Sequence, residues 1–158
     1  MPNFFRILNS DTLLNAVKQY HSANKKIVFT NGCFDLLHIG HITYLEEAKK
    51  YGDVLIVGIN TDDSVRKLKG PARPIQNQND RAAILCALKA VDHCILFSEE
   101  TPLEIIKSIK PDVLVKGGDW EIEKIIGSDY VLSYGGVVKS LNFVAGKSTT
   151  ALIEKSKI

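Results

Sequence analysis

The run Asp53-Val54-Leu55-Ile56-Val57-Gly58-Ile59-Asn60 sets the tightest limit on what this chain can fold into. Its apolar residues follow one another with no polar position between them, whereas a strand with one wet face alternates. The pattern fits a strand covered on both faces, as in a parallel sheet between two helical layers, better than a half-solvated hairpin. Asn60 then leads into a polar loop.

Similar short runs recur at 26–30, 93–97, 112–116 and 137–141, and residues 130–133 read as a further strand. Helical patterns separate them. Leu13, Leu14, Val17 and Tyr20 share a face over 11–22, with Ser10 or Asp11 available as a cap. A second helix is expected to start near Gly40 and carries Ile42, Leu45 and Ala48. A short helix can begin at Thr61, Asp62 or Asp63, and another covers 79–89 with Ile84, Leu85 and Leu88 toward the core. Thr101-Pro102-Leu103-Glu104 is a strong helix start: Thr caps, Pro takes the first position and Glu reaches back from the third. A short helix is predicted over 121–126. Residues 65–78 contain two prolines and four basic residues and read as a mobile loop. The strand-then-helix order predicts an α/β fold, a three-layer sandwich around a mainly parallel central sheet. Right-handed crossovers would gather the strand carboxyl ends, where ligands bind at a topological switch. At 158 residues the expectation is one domain over 1–158, with the 11–22 helix covering the sheet and no internal repeat.

Charge argues against a polyanionic partner. Twenty basic and 18 acidic residues leave +2 with no polybasic block, so neither nucleic acid nor an anionic membrane is expected. Cys33, Cys86 and Cys94 form no framework and no CxxC pair, and their apolar neighbours suggest buried, reduced thiols. No secretory pattern or apolar stretch of roughly 20 residues is present, which points to a soluble cytoplasmic protein.

The chemistry concentrates in KIVFTNGCFDLLHIGHITYLEEAKK, residues 26–50. A strand, a turn containing Thr30, Asn31 and Gly32, and a helix start form the arrangement that offers backbone N–H groups to a phosphate. His38 and His41 flank Gly40, so both imidazoles can surround one phosphate if the helix begins between them. Thr30 can add a hydroxyl. A phosphoryl centre needs donors and positive charge around its oxygens and an aligned attacking group, which this constellation can supply.

Other residues carry less decided signals. Asp35 could orient a histidine or backbone groups, contact a metal, or cap the turn. Asp119, after the run ending Lys116-Gly117-Gly118, could contact a ribose or sugar hydroxyl, or cap the next helix. Lys69, beside Gly70, is the best candidate among Arg66, Lys67, Lys69 and Arg73 for a substrate phosphate. Arg81 could grip a phosphate in bidentate fashion, form a salt bridge or meet another subunit. Ser148 and Thr149 at the start of a last helix could bind departing phosphates. Gly146-Lys147-Ser148 is not a Walker A motif, because Leu141 stands where that motif needs glycine. The scattered histidines and cysteines give zinc little support, and Cys33 reads as structural rather than nucleophilic.

TNGCFDLLHIGH at 30–41 resembles the HIGH-containing nucleotidyltransferases, in particular the cytidylyltransferase-like group. The closer resemblance is to the bacterial heptose 1-phosphate adenylyltransferases. It extends through GDVLIVGINTDDSVRKLKGPARPI, NDRAAILCALKAVD, PDVLVKGGDW and GKSTTALI, and nothing resembles the sugar-kinase domain fused to this one in some bacteria. The resemblance implies a Rossmann-like domain that joins ATP and heptose 1-phosphate into ADP-heptose and pyrophosphate by direct attack on the α-phosphorus.

In that reading His38, His41, Lys69 and Thr30 are catalytic. Nucleotide contacts fall on Thr30, Asn31, Gly32, Phe34, Asp35, His38, Gly40, His41, Arg81, Lys116, Gly117, Asp119, Ser148 and Thr149. Mg²⁺ would bridge phosphate oxygens, with no protein ligands assigned to it. The resemblance also implies a homodimer or homotetramer and a place in lipopolysaccharide core synthesis. Glycerol 3-phosphate cytidylyltransferase, an adenylyltransferase for another phosphorylated metabolite, and a noncatalytic nucleotide-binding protein are the alternatives.

Overall fold

The computed structural model describes residues 6–142 and 148–156. Its sheet has six strands, β1 (Ile7–Leu8), β2 (Ile27–Gly32), β3 (Val54–Asn60), β4 (His93–Phe97), β5 (Val113–Gly117) and β6 (Val137–Leu141). They lie in the order β1-β4-β3-β2-β5-β6, and every neighbouring pair is parallel. The helices are α1 (Ser10–Ser22), α2 (Ile39–Lys49), α3 (Asp62–Lys69), α4 (Gln78–Ala87), α5 (Leu103–Ile109), α6 (Ser128–Ser133) and α7 (Thr149–Ser156), with a 3₁₀ turn at Ile122–Lys124.

Alternate residues of the central strands feed two cores. Val28, Leu55, Val57 and Val115 pack with Leu45 of α2 and Leu85 of α4 on one face. Ile27, Phe29, Ile56 and Leu114 pack with Val17 of α1, Ile106 of α5 and Val131 of α6 on the other. All seven residues of β3 are buried, as the uninterrupted apolar run requires. This is the expected α/β, Rossmann-like sandwich. The chain runs outward from β2 through β3 to β4, then returns to place β5 on the other side of β2. The carboxyl ends of β2 and β5 therefore flank the switch point, where a crevice opens.

Several local expectations change. The short helix expected to begin at Thr61, Asp62 or Asp63 is α3, and it continues through 65–69, which were expected to lie in a loop. Thr61 caps it by accepting from the Ser64 N–H, Asp62 and Asp63 occupy its first turn, and Arg66, Lys67 and Lys69 its last, which complements the helix dipole. Gly70 closes it at φ +94°, a conformation that favours glycine.

Residues 130–133 lie in α6, not in a strand. The left-handed Gly127 turns the chain into that helix, and burial of Val131 outweighs the local preference of Tyr-Val-Leu for a strand. Only the 3₁₀ turn forms in the stretch expected to be helical at 121–126. Asn9, not Ser10 or Asp11, caps α1 in a reciprocal bond with Thr12. Pro102 is the residue before α5 rather than its first, and the α5 start has no side-chain cap bond. Leu14 and Ile84 face outward. Strand β1, unforeseen, adds to β4 at the edge. Among the described residues no helix is long and apolar enough to cross a membrane.

Candidate functional site

A cleft of about 580 Å³ opens over the carboxyl ends of β2 and β5. Asn31 and Gly32 come from β2, Lys116 and Gly117 from β5, His41 and Tyr44 from α2, and Lys69 from α3. His38 is the N-cap of α2, and its Nδ1 accepts the Gly40 N–H at 3.1 Å. That bond puts the proton of a neutral His38 on Nε2. Gly40 is buried in the first turn, so its contribution is to cap geometry as well as close approach.

The His38 and His41 rings stack with centroids 3.9 Å apart. Burial, and then the neighbouring His38, push His41 down to about 4. His41 is therefore neutral near pH 7 and meets a phosphate as a hydrogen-bond donor rather than a cation. Its Nδ1 is buried without a hydrogen-bond partner. Phe34 holds the other side of the ring edge-on, with centroids 5.4 Å apart, and takes a left-handed φ of +47° at the turn. A non-glycine residue in that conformation is held there by its surroundings, and such positions cluster at functional sites.

Thr30 is fully buried and does not line the cleft. Its hydroxyl lies 2.5 Å from the Tyr44 hydroxyl, which also reaches the Val115 carbonyl at 3.3 Å. With Tyr44 donating to that carbonyl, Thr30 donates to Tyr44. The expected direct phosphate contact of Thr30 thus becomes support for Tyr44, which does line the cleft. Sequence reasoning passed over Tyr44, although three residues after His41 is the same face of a helix.

Asp35 and Arg81 are also structural in this geometry. Asp35 is 1% exposed, and its carboxylate accepts from Arg73 Nε at 2.5 Å, Ile75 N at 2.8 Å and Gln76 N at 2.9 Å. Burial alone would raise this carboxyl, but the Gln76 and Ile75 N–H groups and Arg73 outweigh it and hold it below the ordinary value. Arg81 is 1% exposed and does not line the cleft. It donates to the carbonyls of Gln76, Cys33 and Asn60 and to Asp62 Oδ1, at 2.5–3.0 Å. Its fork ties the β2 turn, the β3 end and the start of α4 together instead of reaching a ligand.

Among the described residues, the cations that reach the cleft are Lys69, Arg73 and Lys116. Burial lowers Lys116 from its ordinary value, opposed by the neighbouring Cys33 and reinforced by the positive charge of Lys69. Cys33 lines the cleft as well, and burial pushes its thiol up, so it is a poor nucleophile. Asp119 is exposed and outside the cleft lining. Ser148 accepts from the Ala151 N–H at the start of α7, while Thr149 lines the cleft and donates to the Leu36 carbonyl at 3.2 Å. Gly146 and Lys147 lie outside the described residues.

Among the described residues no group of three His, Cys, Asp or Glu side chains is placed to hold a metal ion. The lining carboxylates are Asp35, already engaged on both oxygens, and Glu100.

Residues 29–153 match the cytidylyltransferase-like family model. The chain is 52% identical over 150 residues to bifunctional protein HldE of Citrifermentans bemidjiense, covering 95% of this chain and 31% of that protein. It is 58% identical over 135 residues to bifunctional protein HldE of Aliarcobacter butzleri, covering 85% of this chain and 28% of that protein. It thus spans about a third of the length of these curated relatives. The lipopolysaccharide core biosynthesis protein of Thermoplasma volcanium aligns with TM-score 0.63 and 33% identity, over 76% of this chain and 97% of that one. With a HIGH helix start at the sheet's switch point and a family match over most of its length, the chain belongs to the cytidylyltransferase-like family of nucleotidyltransferases.

Proposed function

We propose that this chain transfers AMP from ATP to D-glycero-β-D-manno-heptose 1-phosphate. A phosphate oxygen of the sugar attacks the α-phosphorus of ATP, the bond from that phosphorus to the β-phosphate bridge breaks, and pyrophosphate leaves with the electron pair. The products are ADP-heptose and pyrophosphate. The observation that carries the reading is the His38–His41 stack at the α2 start, with His41 lining a cleft that Lys69, Arg73 and Lys116 line as well.

In this reading His38 and His41 donate to the triphosphate, and the neutrality of His41 makes it a directional donor whose value rises as charge develops on the phosphorus oxygens. Lys69 and Arg73 supply positive charge, and Arg73 is aimed by Asp35. Asn31, Gly32 and Phe34 shape the turn against the phosphates, and Lys116, Gly117 and Thr149 complete the wall. Asp119 and Ser148 lie at its margin. When bound with ATP, Mg²⁺ would supply neutralisation of the phosphate charge, with no protein ligands assigned to it. No residue need form a covalent intermediate, since alignment and charge stabilisation suffice for this displacement. We further propose a cytoplasmic homodimer or homotetramer of single-domain chains, acting on small molecules in lipopolysaccharide core synthesis.

The test is pyrophosphate release with ATP or CTP, each paired with heptose 1-phosphate or glycerol 3-phosphate, with the product weighed by mass spectrometry. ADP-heptose from one pair alone is the expected result. CDP-glycerol instead would replace the reading with that of a glycerol 3-phosphate cytidylyltransferase. No turnover from folded, Mg²⁺-supplied protein would overturn the proposed reaction.

A further inference from the structure

Strands β2 and β5 pair only where they begin. Val28 sits opposite Val113 and Phe29 opposite Leu114, and among the described residues no further pair joins the two strands. Each nevertheless stays in register with its outer neighbour to its own end, β2 with β3 and β5 with β6. The carboxyl halves Thr30–Gly32 and Val115–Gly117 therefore part from one another. Asn31 and Gly32 from one half, and Lys116 and Gly117 from the other, line the cleft. Two central strands that separate leave polar backbone groups for which other partners must be found.

Tyr44 stands at the next rung. Thr30 and Val115 would be the following pair in that register, and the Tyr44 hydroxyl lies 2.5 Å from Thr30 Oγ1 and 3.3 Å from the Val115 carbonyl. A side chain from α2 thus bridges the strands where their own ladder stops, on the sheet face whose core holds Val28, Tyr44 and Val115. Tyr44 is 5% exposed and Thr30 fully buried, so the bridge is made away from bulk water. Burial pushes the phenol above its ordinary value, against opposing bonds from Thr30 and the Gly117 backbone, and it stays neutral.

We propose that Tyr44 is a positioning residue for nucleotidyl transfer: its hydroxyl, wedged between the parting ends of β2 and β5, sets the separation of the cleft walls and the place of His41 relative to them. The assignment rests on the transfer reading of the cleft. His41 and Tyr44 are three positions apart on one face of α2, and both line the cleft. Tying Tyr44 to both strands therefore fixes the helical turn that carries His41. Direct displacement at phosphorus depends on alignment, and a misplacement of about 1 Å can cost about a hundredfold in rate. A purely structural tyrosine would stabilise the fold and leave the turnover of folded enzyme unchanged.

Tyr44→Phe keeps the ring in the gap and removes both hydroxyl bonds. At a temperature where wild type and variant are both folded by circular dichroism, kcat should fall roughly ten- to hundredfold, with the KM of each substrate within about twofold of wild type. The double variant Thr30→Val/Tyr44→Phe separates placement from stability. It removes the Thr30 hydroxyl that the single change strands, so resistance to urea should recover toward wild type while kcat stays low. Recovery of kcat together with stability would overturn the proposal, as would an unchanged kcat in folded Tyr44→Phe or a loss confined to KM. The comparison uses whichever nucleotide and acceptor the wild type turns over, so a different product corrects the transfer reading and leaves this test intact. A wild type that turns over no pair would remove the transfer reading and this assignment with it.

Discussion

Replacing Asp35 by asparagine isolates a contact that ties the cleft to its loop. The two side chains have nearly the same shape, but the amide keeps one oxygen acceptor and replaces the other with a donor. In the structure both carboxylate oxygens accept, from Arg73, Ile75 and Gln76. The variant therefore points an NH₂ at one of these donors and leaves Arg73 without its counter-charge. Breaking a buried pair from one side costs about 3–5 kcal/mol. The Arg73 side chain is 17% exposed, so water can take over part of its solvation and the lower end applies, about 3 kcal/mol. For a chain of this size that loss corresponds to a fall in Tm of about 6–12 °C.

Thermal melts of both proteins at neutral pH measure the difference, and its pH dependence tests the cause. Asp35 titrates below its unfolded value, so its contribution is fully present above about pH 4 and is lost as pH falls through the lower, folded value. The gap between wild type and Asp35→Asn should consequently narrow below about pH 4. A loss under about 1 kcal/mol at neutral pH, or a gap unchanged in acid, would refute the assignment of Asp35 as a charged anchor.

Three other substitutions probe the site. His41→Ala should lower kcat/KM by about 10²–10³, the range for a lost transition-state donor, with the fold retained in circular dichroism; near-wild-type turnover would remove His41 from the mechanism. In the free protein the His41 ring should titrate in NMR at about 4 and move upward when pyrophosphate is added, whereas an ordinary histidine titration would contradict its burial. Arg81→Lys leaves several buried acceptors without their fork and should cost about 3–5 kcal/mol in urea unfolding; a neutral effect would show that the guanidinium network is dispensable. Tyr44→Phe strands the fully buried Thr30 hydroxyl and should cost about 1–3 kcal/mol by the same measurement, with unaltered stability arguing against the Thr30–Tyr44 bond.

Much of the architecture could be read locally. The apolar run that became β3, the turn after β2 and the HIGH helix start are defined by residues close together in the chain, and the cleft opens beside that turn and helix start. Element identity failed where burial contradicted local pattern, as at Val131, or where charges were arranged to suit a helix, as in α3. The surroundings of polar side chains were harder to read. A buried arginine and a phosphate-binding arginine look alike in sequence, and Arg81 differs only in that carbonyls from distant segments already occupy its donors. The Thr30 hydroxyl is likewise taken up by Tyr44, 14 residues on.

By itself, then, the sequence determined the α/β alternation, the parallel character of the sheet and the HIGH helix start beside the β2 turn, because periodicity and helix capping act over a few residues. Only the tertiary structure decided that β5 returns beside β2 to make the crevice, that Asp35 faces Arg73 across 38 positions, and that the Thr30 hydroxyl meets Tyr44. Those outcomes depend on which charges and surfaces meet after the chain has closed on itself. Solvation and hydrogen bonding are settled by neighbours in space, and a side chain's role follows from what remains unsatisfied once those neighbours are in place.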